Sequence, residues 1–560
     1  MSTLAEILAT AVELHDAGNL DDADKLYREV LNIDPRQPLV WHNLGLIAQA
    51  RGNLKGATDF VTQAIQFDGM QPSFHNSLGI LLQLQSRPAE AAASYRTAIA
   101  IAPRYAEPHC NLGNLLQQQG QFAEARACYR RALNCNADLP EAHFNLGLIA
   151  QIQEQWDEAK ECYEHAIHAR PTYADAYNNL GAVCKHADDL ENATRCFSEA
   201  LKFKPDFAEA LNHLGSIFQT QGRWAEAMVC YDQALRILPA YPQAHYRRAT
   251  MLLAQGELAA GWTEYEWRFA CPDFPRLDLA GSRWDGTPLA GRKLLVCAEQ
   301  GLGDTLQFIR YLPLVTEKYG ATTVALQKAL IPLLRQSGFT GLVAKGDRSI
   351  RYDAWIPLMS LPGLFGTTLE TIPAKTPYLF ADPALVSHWQ EVLGESVALR
   401  VGIAWQGRES FGGDRFRSIP LAQFEPLAIP GVELISLQQG FGREQIAAVS
   451  GRFAVRDLGP KVDRDRGAFM DTAAIMKSLD LVVTSDSAVA HLAGGLGVEV
   501  WTVLPLAPDW RWLTEREDSP WYPAMQLFRQ TWFDDWAEVF ARMTVTLKAR
   551  QSQESRSTNE

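Results

Sequence analysis

Basic residues, paired cysteines and long apolar runs are what this sequence lacks. The 560-residue chain sets 52 Lys and Arg against 65 Asp and Glu, a formal net charge of -13, the wrong sign for a general phosphate-backbone binder. Nucleic acid is therefore not an expected partner. The nine cysteines (Cys110, Cys128, Cys135, Cys162, Cys184, Cys196, Cys230, Cys271, Cys297) include no Cys-x-x-Cys pair, and inside helical repeats a thiol acts as a small apolar filler. A reducing, cytoplasmic compartment is the expectation. The longest weakly charged stretch, Ser487 to Pro508, is interrupted by Glu499, by glycines and by two prolines, so it makes a poor bilayer span and no transmembrane segment is expected. The N-terminus is acidic by Glu6 and has no basic segment leading into an apolar core, unlike a signal peptide.

What the chain does have is length and repetition. It is too long for one ordinary core, so two or three folding units are expected. Ala23, Ala57, Ala91, Ala125, Ala159, Ala193 and Ala227 are seven alanines spaced by 34 residues without a slip. In register with them run six Leu-Gly pairs, from Leu44-Gly45 to Leu214-Gly215. Four residues after the alanines stand Tyr27, Val61, Tyr95, Tyr129, Tyr163, Phe197 and Tyr231, and twelve after most of them a proline. Such a period predicts two helices per unit, with small Gly and Ala letting them approach, an aromatic filling the groove, and proline ending the second helix. The spacing resembles the tetratricopeptide repeat, with six well-formed units over 38–241, a first unit from about residue 4 and a degenerate one after 242. Just before the Leu-Gly pairs stand Asn43, Ser77, Asn111, Asn145, Asn179 and His213. In tetratricopeptide arrays this place faces the concave groove, and the column resembles the asparagine-lined groove of O-linked N-acetylglucosamine transferases. The resemblance implies an extended polypeptide held by Asn43, Asn111, Asn145 and Asn179; the alternative is that these amides bond only within their own solenoid.

After a Pro- and Gly-rich connection the helical period gives way to short apolar runs alternating with helical segments, an α/β signature. Runs at 294–298, 322–326 and 341–345 predict strands of a first lobe, and runs at 399–405, 432–437, 480–485 and 499–504 those of a second. The organisation expected is a solenoid over 1–271, a linker over 272–291, a first lobe over 292–382, a second over 383–548 and a disordered tail over 549–560.

Three segments carry candidate chemistry. Glu299-Gln300-Gly301-Leu302-Gly303-Asp304 forms a strand-to-helix turn, where Gly301 and Gly303 allow close approach to a ligand and Asp304 either takes a proton or caps its helix. Asp486 and Ser487 open a second helix that carries His491 one turn on, a place where backbone amides suit a diphosphate and where Ser and Asp are also ordinary caps. The loop from Gln406 to Pro420, with Arg417 and Ser418 at its end, suits a phosphate-contacting segment or a charged surface loop. Trp510, Trp512 and Trp521 suit core packing better than sugar stacking. Asp463-Arg464-Asp465 makes no convincing metal pair, and no metal site is expected.

Together these segments, over about 292–545, resemble the heptosyltransferase-like family of inverting glycosyltransferases (family 9-like), in which a Gly-Asp after the first strand and an Asp-Ser-Gly…His segment in the second lobe recur. The resemblance implies a GT-B fold with two Rossmann-like lobes behind the α solenoid. It also implies metal-independent transfer from a nucleotide-diphosphate sugar, with no further cofactor. Asp304 would be the base that activates a hydroxyl acceptor; Asp486, Ser487 and His491 would hold the donor, with Arg417 neutralising its phosphates. Ala488 stands where the family has glycine, which makes heptose an unsafe choice of donor. The alternative expectation is a non-catalytic tetratricopeptide scaffold with a degenerate α/β half.

Overall fold

The computed structural model describes residues 3–274, 276–347, 349–407 and 414–557, with no side chain described at Arg415 or at 554–557. The chain forms two compact units, Met1–His213 and Leu214–Glu560.

Sixteen α-helices come first: α1 Leu4–Asp16, α2 Leu20–Ile33, α3 Pro38–Ala50, α4 Leu54–Phe67, α5 Pro72–Leu84, α6 Pro88–Ile101, α7 Ala106–Gln118, α8 Phe122–Cys135, α9 Pro140–Ile152, α10 Trp156–Ala169, α11 Ala174–His186, α12 Leu190–Phe203, α13 Ala208–Thr220, α14 Trp224–Ile237, α15 Pro242–Ala254 and α16 Leu258–Tyr265. The sequence period is visible in them. Ala23, Ala57, Ala91, Ala125, Ala159, Ala193 and Ala227 are fully buried, and five of the six Leu-Gly glycines sit under the aromatic of the next helix, Gly45 facing Val61 instead. A methyl group on Gly113 would lie 2.7 Å from the Tyr129 ring, and one on Gly147 would lie 2.6 Å from Tyr163, closer than atoms pack. Only glycine fits beneath the ring.

The turn inside each helix pair needs a left-handed residue. Gly18, Gly52, Gly120, Gly222 and Gly256 take it with φ of 72–83°, whereas Ser86, Glu154 and Asp188 take it with φ of 57–60°. For an L side chain that conformation costs about 1–2 kcal/mol. Glu154 is exposed, so Glu154→Gly is expected to raise the stability of the first unit by up to about 1 kcal/mol, part of the relief being offset by the freer unfolded chain. Urea denaturation checks this, and a lower midpoint would contradict it.

The second unit adds two five-stranded sheets, ordered β1-β5-β2-β3-β4 and β10-β9-β8-β6-β7. The strands are β1 Ser282–Arg283, β2 Leu294–Cys297, β3 Thr323–Leu326, β4 Leu342–Ala344, β5 Ala354–Pro357, β6 Leu399–Ala404, β7 Val432–Ser436, β8 Leu481–Ser485, β9 Val500–Leu504 and β10 Met525–Arg529. All pairings between them are parallel. The central strands are buried along their whole length, as expected where helices cover both faces. The covering helices are α17 Leu302–Phe308, α18 Leu312–Tyr319, α19 Ile331–Gln336, α20 Leu361–Leu364, α21 Pro383–Leu393, α22 Asp414–Arg417, α23 Gln445–Val449, α24 Met470–Met476, α25 Ala488–Leu496 and α26 Trp536–Ser557.

The seven strands expected from apolar runs are present within a residue or two. Strands β1, β5 and β10 were not expected. The expected linker is drawn into the first sheet, since Ser282 and Arg283 pair with Ala354 and Trp355 and Trp284 N–H donates to Trp355 O at 2.8 Å. The expected disorder of the tail is also corrected, because α26 continues helical to Ser557. Val539, Phe540, Met543 and Leu547 bury one face of that helix. Beyond them Arg550 pairs with Glu499 at 2.6 Å and donates to Asp480 O at 2.9 Å, which ties down a polar segment with no apolar period. Residues 558–560 lie outside the described residues.

Candidate functional site

Open parallel sheets bind ligands at the carboxyl ends of their strands, where the strand order reverses. In the first sheet the chain runs outward from β2 to β3 and β4 and then returns to place β5 on the other side of β2. The crevice between β2 and β5 is therefore a reversal point, and Glu299 to Asp304 leave β2 there. In the second sheet β7 lies on one side of β6 and β8 on the other, so the reversal falls between β6 and β8. The segment after β6 ends in Arg417 and Ser418, and the segment after β8 carries Asp486 and Ser487. Every motif of the α/β half thus stands at a reversal point.

The two motif helices meet. A methyl group on Gly303 would lie 2.9 Å from His491 Cδ2 and 3.3 Å from Ala488 Cα, so this glycine is required by the approach of α17 to α25. One oxygen of Asp304 accepts the Gly301 N–H at 2.8 Å, the capping role; the other accepts from the Arg511 guanidinium. Arg511 also pairs with Asp509 at 2.7 Å and donates to Gln307 at 2.7 Å, and it packs over the Trp510 ring at 4.4 Å. Sequence reasoning missed Arg511. Its only signal was a lone cation between two tryptophans.

Ser487 caps α25, its Oγ accepting the Val489 N–H at 3.3 Å. Asp486 is 7 % exposed. Burial pushes its carboxyl up to about 6, Asp509 beside it adds to the rise, and Arg417 and Arg511 pull the other way. His491 Nδ1 lies 2.9 Å from the Tyr522 hydroxyl, and its ring stacks on Trp512 at 5.2 Å. Burial, and then the nearby Arg511, Arg310 and Arg417, hold it well below the usual imidazole range, so it is neutral at physiological pH. Asp414 orders the loop end, accepting from Ser418 Oγ at 2.6 Å and from Arg417 Nε at 3.1 Å; Arg408 to Gly413 lie outside the described residues. Trp510, Trp512 and Trp521 are all buried.

The first crevice is stoppered from the repeat side. Arg268, fully buried, donates to Glu299 at 3.0 Å and to Ser360 Oγ at 2.8 Å, so the last turn after α16 fills the space between the ends of β2 and β5. Asp463 caps α24 by accepting from Asp471 N and Thr472 N at 2.7 and 3.1 Å. Among the described residues no group of three or more His, Cys, Asp or Glu side chains is placed to hold a metal ion, and no helix is long and apolar enough to cross a membrane.

In the first unit the asparagine column is bonded backward, repeat to repeat. Asn43 donates to Tyr27 Oη at 3.1 Å, Asn111 to Asn76 Oδ1 at 3.0 Å, Asn145 to Asn114 Oδ1 at 2.8 Å and Asn179 to Tyr163 Oη at a marginal 3.5 Å. Asn111 also lines a cavity of about 510 Å³ with Gln83, Tyr95 and Asn114. A second amide column escaped notice in the sequence. Gln83, Gln117 and Gln151 accept from the hydroxyls of Tyr95, Tyr129 and Tyr163 at 2.8–3.0 Å, and Gln219 accepts from Tyr231 at 2.9 Å. Their 34-residue spacing, with Lys185 in the missing place, was the available signal.

Comparison with known proteins bears mainly on the repeats. The family model of the cilia and flagella-associated protein 70 C-terminal domain, a tetratricopeptide model, matches residues 74–240. Protein FlbA of Caulobacter vibrioides is 31% identical over 319 residues, covering 51% of this chain and 52% of its own length; the chain thus spans about half the length of this curated relative. Among solved structures, the APC/C hetero-tetramer Cut9-Hcn1 is 15% identical with a TM-score of 0.38, covering 43% of this chain and 48% of that one. Pseudomonas aeruginosa pilF is 20% identical with a TM-score of 0.36, covering 38% of this chain and 96% of that one. The repeat period, its helix pairs and the matching family model together make the first half of this chain a tetratricopeptide-type solenoid.

Proposed function

We propose that the chain is a metal-independent, inverting glycosyltransferase of the GT-B, heptosyltransferase-like kind, acting in the cytoplasm on a polypeptide presented by its solenoid. The observation that carries this reading is the meeting of α17 and α25, which sets Gly303-Asp304 of one reversal point against Ala488 and His491 of the other. A nucleotide-diphosphate sugar lies at the second reversal point, with its diphosphate at the N-terminus of α25 beside Ser487 and Arg417. Gly303 lets α17 come close to α25, and Ser418 braces the Arg417 loop through Asp414. The acceptor hydroxyl attacks the anomeric carbon while Asp304 takes its proton, and the bond to the diphosphate breaks with the electron pair leaving on phosphate oxygen. A single displacement inverts the configuration. Neutral His491 adds no charge, and its stacking on Trp512 fixes the floor of the site. The half-buried Asn43, Asn111, Asn145 and Asn179 line the peptide path, as Asn111 does at its cavity.

Calorimetric titration of the whole protein with a panel of nucleoside diphosphates and nucleotide sugars tests this. One donor is expected to bind, with affinity reduced at least about tenfold in Asp486→Ala. Binding of none would favour the scaffold reading, in which the α/β half is inert.

A further inference from the structure

The Asp304 carboxylate is held by two donors of different origin. The Gly301 N–H, at 2.8 Å from one oxygen, is local, a cap closed within the first turn of α17. Arg511, on the other oxygen, comes from the segment after β9 of the second sheet, 207 residues along the chain. The last torsion of an aspartate is broad, so a cap on one oxygen alone leaves the plane of the carboxylate loosely set. We propose that Arg511 is a positioning residue of the transferase site. It fixes the aim of the Asp304 carboxylate, and it does so from the second sheet, so that the base is set only where the two sheets are together. The proposal rests on the transferase reading above.

Three observations carry it. First, Arg511 is itself held before it reaches Asp304. Asp509 Oδ1 accepts its backbone N–H at 3.0 Å and its Nη1–H at 2.7 Å, Gln307 Oε1 accepts its Nε–H at 2.7 Å, and the guanidinium lies 4.4 Å over the Trp510 ring. A planar fork pinned at Nε and Nη1 has one direction left for Nη2, and Asp304 stands there. Second, Gln307 lies one turn after Asp304 on α17, so a single guanidinium grips the helix that carries the base at two places. Third, the Asp304 side chain remains 21 % exposed. An ionised carboxylate has about four acceptor sites, and two donors on it leave room for a proton.

The test uses the full chain and the nucleotide sugars of the panel above as donors, with glycerol as a small hydroxyl acceptor beside water. It reads release of nucleoside diphosphate together with calorimetric donor affinity. Asp304→Asn removes the base and should lower turnover about a hundredfold or more. Arg511→Lys keeps the charge but loses the fork. It should lower turnover about tenfold to a hundredfold, the cost of a base about 1 Å out of place, with donor affinity within about twofold of the unaltered protein. The double variant should turn over no more slowly than Asp304→Asn alone, because a residue that acts through the base then has nothing to act through. Thermal melts confirm that each variant is folded. Gln307→Met takes one anchor from Arg511 and leaves Asp304 untouched; it should show the same dependence on Asp304 and decides should Arg511→Lys not fold. Turnover unchanged in folded Arg511→Lys, donor affinity lost with it, or losses that multiply in the double variant overturn the proposal. Failure of the transferase reading is separate, since it appears as no nucleoside diphosphate release from any donor by the unaltered protein, and it takes this proposal with it.

Discussion

Arg511→Ala is expected to lower the stability of the α/β unit by about 3–5 kcal/mol, the usual cost of leaving buried charges without their partner. Arg511 is 6 % exposed and answers Asp304, Asp509 and Gln307 at once. Its removal leaves Asp509 beside the buried Asp486 with less positive charge near either, and takes the guanidinium off the Trp510 face. Arg511→Lys should recover only part of the loss, because one ammonium cannot replace a planar fork that meets three groups. Arg511→Met restores volume without charge and separates packing from electrostatics. Urea unfolding followed by tryptophan fluorescence reads the series, since Trp510, Trp512 and Trp521 are buried close by. An alanine midpoint equal to that of the unaltered protein would mean that the ion cluster contributes nothing net.

How much of this was legible beforehand differs between the halves for physical reasons. The solenoid repeats one local solution, so Ala23 to Ala227 and the Leu-Gly pairs announce themselves by period alone. The sheets were read from apolar runs, which found seven strands, the edge strands β4 and β7 among them, and missed β1, β5 and β10. Strand β10, Met-Gln-Leu-Phe-Arg, mixes polar and apolar residues, and β1 is two residues long inside a connection rich in glycine and proline. Strand β5, Ala-Trp-Ile-Pro, lies between β1 and β2, but it is only four residues long and ends in proline, so its apolar run is short. In the site, Gly303, Asp304, Asp486 and His491 could be picked out one motif at a time, since each follows a strand and opens a helix. Arg511 and Arg268 could not. They act across more than 200 residues from Arg511 to Asp304 and across 31 from Arg268 to Glu299, and no local pattern marks such a partner. The asparagine column was legible by its period, but its bonds were not: its amide N–H groups donate to Tyr27, Asn76, Asn114 and Tyr163 of the preceding repeats.

Asp486→Asn is expected to move stability in the opposite direction from Arg511→Ala, and only at higher pH. The folded carboxyl titrates at about 6 against an ordinary value of 3.8, so the folded state holds its proton more tightly than the unfolded chain does. Below about 3.8 both states are protonated and the group costs nothing. As pH rises from there the unfolded chain ionises first, stability falls, and the full penalty is present above about 6. A shift of this size corresponds to a penalty on the order of 3 kcal/mol. The amide cannot ionise, so Asp486→Asn should exceed the unaltered protein in stability at pH 8 and match it near pH 4, read from urea midpoints at several pH values. Equal midpoints at pH 8 would show that neighbouring Arg417 and Arg511 already compensate the buried charge. A gain at pH 8 accompanied by weaker nucleotide binding would place Asp486 among residues kept at a cost in stability for what they bind.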